Sequence, residues 1–245
     1  AADGAGVTAR FAGRSVLVVE RHDRPGGYAH SFRRNGCVFD SAVHLVGGCE
    51  PTPFEGGGLL HRLLEAVGAR AELRFERIDP LYTAVYPGLE LRPRLGLDEF
   101  ERSHAQVFPA ERKGLHDLLQ ECLSIQIEAR RAAELASPFE VMQRPGRFPT
   151  LLRYRRATLS RVMEEHLDDA RAKAVFATFW PYLGLPPERV SFLYFATMLL
   201  SYVAEGAYYC RGSFQRLARA PARAVERDGG EVLLRSSVRR ISVES

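Results

Sequence analysis

The chain has 245 residues, 46% hydrophobic and 26% charged, with 21 Gly, 14 Pro, 4 Cys and a formal net charge of +4. This is ordinary globular composition, and it excludes a disordered tail, a collagen-like fibre and a disulfide scaffold. At roughly 100–200 residues per domain, the length allows one large domain or two small ones.

Of the 34 basic residues only Lys113 and Lys173 are lysine. They are interleaved with 30 acidic residues, and basic runs stop at pairs such as Arg33-Arg34. A nucleic-acid binder needs a concentrated basic stripe, so that class is set aside. Cys37, Cys49, Cys122 and Cys210 form no CxxC pair and no metal-ligand spacing with His, which reads as free thiols in a reducing compartment and no metal site. The start, AADGAGVTARF, has no apolar core of the signal-peptide kind, so no secretory leader is expected.

In chain order, Gly4-Ala5-Gly6 precedes RSVLVVE, Arg14 to Glu20, a β-branched run that reads as a buried parallel strand. A Pro25-Gly26-Gly27 turn follows, then short strand or loop pieces at Cys37 to Asp40 and Val43 to Val46. Leu59, Leu60, Leu63, Leu64 and Val67 have helical spacing, stopped by Gly68. Leu81 to Tyr86 predicts a strand ending at the Pro87-Gly88 turn. From about Leu97 to Glu205 the pattern is mostly helical, with Asp98 as an N-cap, and Pro109 with Glu111 opening a helix through Leu115, Leu118, Leu119, Cys122 and Ile125. Val190 to Ala204 is 15 uncharged residues, short of the ~20 that span a bilayer, and predicts a core helix or, as the minority reading, a membrane-docking one. A helix from Ser213 to Arg227 that contains Pro221, a turn at Asp228-Gly229-Gly230, and two β-like runs, Glu231 to Arg235 and Ser237 to Val243, complete the pattern.

The fold class expected is α/β: a discontinuous Rossmann-like domain with a mainly helical insertion. The expected bounds are 1–86 and 206–245 for the sheet domain and 87–205 for the insertion. A glycine-rich turn lets backbone approach a pyrophosphate, and an acid at the tip of the following strand accepts hydrogen bonds from ribose hydroxyls, which suits Glu20.

ERHDRPGGYAHSFRRNGCVFDSAVHLVGG resembles the N-terminal FAD-binding region of the phytoene desaturase, carotenoid isomerase and retinol saturase group, within the amine-oxidase-like flavoproteins. GAYYCRGSFQRLARAPARAVERDGGEVLLRSSVRRISVE is similar to that group's return segment. The resemblance implies one non-covalent FAD and oxidoreduction at carbon–carbon double bonds of a polyene or isoprenoid lipid. It assigns Gly4, Gly6, Glu20, Arg21, Gly26, Gly27 and Val238 to the cofactor and His44 to substrate positioning or proton exchange near the ring. It also implies an apolar tunnel lined by stretches such as VFATFWPYLGL and VSFLYFATMLLSYV, and a cytoplasmic protein docking peripherally on a membrane.

Against the group's pattern the chain lacks the third glycine, and Gly4 lies 16 residues before Glu20, where ~20 are expected. The chain therefore reads as an N-terminal portion of a longer flavoprotein. Two other readings follow: a flavin-deficient lipid-binding or membrane-surface module, and an amine-oxidase-like flavoenzyme.

Overall fold

The computed structural model describes residues 15–51, 58–135, 137 and 139–243. Two compact units divide the chain, Ala1–Ile78 with Tyr208–Ser245, and Asp79–Ala207. The first leg of the first unit carries β1 (Leu17–Val19), β2 (Ser31–Arg34), β3 (Cys37–Asp40), β4 (Val46–Gly47), α1 (Leu59–Ala66) and β5 (Phe75–Arg77). The second unit carries β6 (Ala84–Tyr86), β7 (Leu89–Leu91) and the helices α2 (Leu97–Val107), α3 (Arg112–Ala133), α4 (Phe139–Gln143), α5 (Pro149–Tyr154), α6 (Leu159–His166), α7 (Ala170–Phe176) and α8 (Phe192–Val203). The chain then continues through β8 (Ala207–Cys210), α9 (Phe214–Arg227) and β9 (Glu231–Leu233).

In the first unit, β1 and β9 pair in parallel with Val18 opposite Val232. Val18 is buried against Val225 of α9, with Val16, Val67 and Val232 packed around them. The β-branched run thus forms a strand because one face has a helix to pack on. The second β-like run does not follow suit. Ser237 to Val243 forms no strand among the described residues, and Val238, expected on one, is 61% exposed. The reason lies just upstream: Arg235 takes a left-handed φ of 54°, and the N–H groups of Arg235 and Ser236 bond back to the carbonyls of His22 and Glu20. Those bonds turn the backbone out of the ladder.

β2 and β3 form an antiparallel hairpin with Ser31 opposite Asp40 and Phe32 opposite Phe39. Its loop is Asn35-Gly36, with φ of 50° and 79°, the two left-handed positions of a type I′ turn. β8 lies between β4 and β5 in a three-stranded sheet. Beneath it, Leu64 of α1 packs with Leu73, Cys210, Phe214 and Ala220.

The second unit is built on α3, which buries Leu115, Leu118, Leu119, Cys122 and Ile125 and packs against α2, α5, α6 and α8. Buried carboxylates replace the missing donors' partners at helix starts: Glu111 accepts from the N–H groups of Asp168 and Asp169 before α7, and Glu128 from Thr150 and Leu151 in the first turn of α5. Asp98, expected as the N-cap of α2, sits within its first turn, and Gly96 takes the cap. An acid there still faces the positive end of the helix dipole. In α8, Phe192, Phe195, Leu199 and Leu200 are fully buried, so this helix is core. The core reading of Val190 to Ala204 fits this burial, while Tyr194 on the same helix is 72% exposed. Among the described residues, no helix is long and apolar enough to cross a membrane.

Candidate functional site

Glu20 stands at the carboxyl end of β1, the end at which parallel α/β sheets hold their ligands. Its N–H donates to Leu233 O at 2.8 Å and its carbonyl accepts from Ser236 N at 2.9 Å. Its carboxylate accepts from His22 N at 2.8 Å, which fixes the acid before any ligand arrives. Just beyond, Arg21, His22, Asp23, Arg24, His30 and Phe32 line a shallow depression of about 370 Å³. Arg24 is committed within the protein: it donates twice to Asp23, at 2.7 and 2.8 Å, and once to Ser31 O at 2.8 Å. The guanidinium holds the Asp23 carboxyl down to about 2. Arg21 is exposed and makes no ion pair among the described residues.

The two glycines of the turn differ in what they do. A Cβ at Gly26 (φ 119°) would stand 2.5 Å from the Cβ of Ala218, so this residue lets the loop press on α9. At Gly27 (φ 51°) a Cβ would meet nothing within 4 Å, so its backbone faces open space. The segment after β3 is tied to this turn, with Ser41 N donating to His30 O and Val43 N to Tyr28 O. His44 comes next in the chain, exposed, with its Nδ1 2.8 Å from Ala42 O. The structure therefore brings Gly26, Gly27 and the segment leading to His44 together. Val238 lies off the sheet, and Gly4 and Gly6 fall outside the described residues.

A second constellation escaped the sequence reading. The Asp40 carboxylate accepts from Ser31 Oγ at 2.5 Å, Phe214 N at 2.9 Å and Tyr209 Oη at 2.8 Å. Gln215 completes it: its N donates to Ser31 Oγ at 3.2 Å, its Nε2 to Pro25 O at 2.8 Å, and its Oε1 accepts from Ser31 N at 3.3 Å. These bonds join the Pro25 loop and the hairpin to the first turn of α9, across some 170–190 positions of sequence. Burial, with the bond to Asp40, pushes the Tyr209 hydroxyl up to about 12. The one sequence signal was Asn35-Gly36, which predicts the hairpin and hence the pairing of Ser31 with Asp40.

The sequence profile of the flavin containing amine oxidoreductases matches residues 11–245. The chain belongs to this family. It is 26% identical to the human all-trans-retinol 13,14-reductase over 245 residues, covering 96% of this chain and 39% of that protein. To a phytoene dehydrogenase of Streptomyces griseus it is 29% identical over 230 residues, covering 91% and 43%. Among solved structures, an oxidoreductase from Methanosarcina mazei superposes with a TM-score of 0.60 at 14% identity, covering 99% of this chain and 50% of that one. Putrescine oxidase with bound putrescine gives 0.57 at 20% identity, with 95% and 48%. The chain thus spans about two fifths of the length of these curated relatives.

FAD is the cofactor of the flavin containing amine oxidoreductases, and the residues present fit it. A pre-fixed carboxylate at the strand end suits sugar hydroxyls, an open glycine backbone admits close approach, and an exposed guanidinium suits phosphate.

Proposed function

We propose that this protein is an FAD-dependent oxidoreductase acting on carbon–carbon double bonds of a polyene or isoprenoid lipid, in the manner of carotenoid desaturases, isomerases and retinol saturases. The observation that carries it is the pairing of Glu20, fixed at the end of a parallel strand, with family membership and with relatives named for retinol and phytoene chemistry. Putrescine oxidase is similar in fold alone, so the polyene reading is preferred to an amine oxidase.

In this reading, residues 1–86 and 206–245 form a discontinuous Rossmann-like FAD-binding domain and 87–205 a mainly helical substrate domain. The parallel β1–β9 pair and the division into compact units support it. Glu20 would hold the adenosine ribose, with Gly26 keeping the loop against α9 and Gly27, Arg21, Gly4 and Gly6 at the cofactor's backbone-facing side. His44, beside the Gly27 turn, would position substrate or exchange a proton. Bound FAD supplies the hydride chemistry; the chain's residues bind, orient and exclude water. The protein would be cytoplasmic and dock peripherally on a membrane, where such lipids reside. Exposed apolar side chains such as Phe139 and Tyr194, the latter 72% exposed, support a surface contact.

The test mixes FAD-loaded protein anaerobically with liposomes carrying a polyene such as all-trans-retinol or phytoene. The expected result is co-flotation with the vesicles and a change in the visible flavin band together with a mass-shifted polyene. Protein that stays in the soluble fraction, with the flavin band and the polyene unchanged, contradicts the reading.

A further inference from the structure

Arg33, Arg216 and Arg219 line one cleft of about 520 Å³ in the first unit. None of their guanidinium groups makes an ion pair or hydrogen bond among the described residues. Other arginines of the chain are paired, as Arg70 is with Glu50 and Arg130 with Glu205, and others, such as Arg21, are not; what sets these three apart is that they open on one cleft. Arg216 and Arg219 are three apart on α9 and so share a face. Arg33 shares the hairpin face of Ser31 and Asp40, which bond to the first turn of α9. The clamp that joins hairpin to helix therefore fixes where the three cations emerge.

The cleft has further polar and apolar walls. The Arg216 side chain lies over Gly212, where a Cβ would stand 2.9 Å from its Cδ. Ser213, also lining the cleft, has a side-chain hydroxyl with no hydrogen-bond partner among the described residues. Phe32 and Val38, both exposed, line it too, and Phe32 and Arg24 are shared with the depression beside Glu20. Unpaired guanidiniums gathered at one opening repel each other, and a multivalent anion relieves that repulsion with bidentate hydrogen bonds.

We propose that this cleft binds the phosphate or diphosphate group of an organic ligand other than the flavin, with Phe32 and Val38 against its apolar part. The site stands independently of the polyene reading. It is tested by calorimetric titration of the wild-type protein, saturated with FAD, with inorganic pyrophosphate, and by sedimentation with phosphatidylglycerol vesicles. Saturable pyrophosphate binding that weakens about tenfold or more in R216Q/R219Q, and again in R33Q, supports the site and assigns it to a soluble phosphate. Vesicle recruitment lost in the same variants supports it and assigns a lipid headgroup. All three arginines are exposed, so the variants should fold, which matching urea midpoints verify. Three results overturn the proposal: neither probe binding, equal binding by wild type and R216Q/R219Q, or pyrophosphate binding that disappears when FAD is present.

Discussion

Asp40 is half-buried and met by three donors from three different places, Ser31, Tyr209 and Phe214. Removing it strands those donors at the junction of hairpin and helix, and a buried donor without a partner costs about 1–3 kcal/mol. Asp40→Ala should therefore lower unfolding stability by about 3 kcal/mol in a urea titration, whereas Asp40→Ser, keeping one acceptor, should lose less. Equal and negligible losses would mean that the network holds nothing in place. His104 acts by pH. It is fully buried, its Nδ1 bonds Phe100 O at 2.8 Å, its Nε2 has no partner among the described residues, and burial pushes it down to about 4 from 6.5. The unfolded chain takes up the proton first as pH falls. The contribution of His104 to stability is therefore intact above pH 6.5 and declines between 6.5 and 4, by up to about 3 kcal/mol. His104→Phe should show a flatter stability profile over that interval, measured by denaturant titration at each pH; an unchanged slope would contradict the assignment. At this scale the sequence was informative where chemistry is local. The place of Glu20 at a strand end was legible from the β-branched run before it. Asp40 and Gln215 were not, because their partners lie far away in sequence and nothing in their own neighbourhood marks them.

α9 runs 14 residues straight through Pro221. Proline removes one N–H from the ladder and crowds the carbonyl four residues back, here Leu217. The helix persists because its apolar face is buried in two clusters, through Phe214 and Ala220 in one and Val225 in the other. Pro221→Ala should restore the bond to Leu217 O and stabilise the protein by about 1–3 kcal/mol in thermal or urea unfolding. A loss of stability would show that the packing around α9 favours proline at this position. Helices were the elements read best from sequence, since α1, α3 and α9 carry the 3.6-residue period that packing demands. The strands were read less well. β1 is three residues inside a seven-residue β-like run, and Ser237 to Val243 pairs with nothing among the described residues despite its composition, because strand formation needs a partner that local pattern does not report. The β2–β3 hairpin was missed although Asn35-Gly36 announces it.

At the scale of the molecule, one unit is assembled from both ends of the described chain, with Asp79–Ala207 between them. The alternation of pattern, strands at the ends and helices between, predicts an insertion over 87–205; the compact units part instead at Asp79 and Ala207, because the β6–β7 hairpin packs on Phe108, Ala172 and Val175. The three-stranded β4–β8–β5 sheet was not legible, since its strands come from distant segments. Family membership ties the chain to FAD, and Glu20 is the side chain on which the proposed cofactor site turns. The most direct test is a fluorescence titration of FAD with this protein and with Glu20→Ala. The account predicts saturable quenching by the wild type and an affinity about tenfold weaker in Glu20→Ala, the loss of roughly 1.4 kcal/mol from the ribose contacts. Absence of saturable binding, or identical curves for the two proteins, would contradict it.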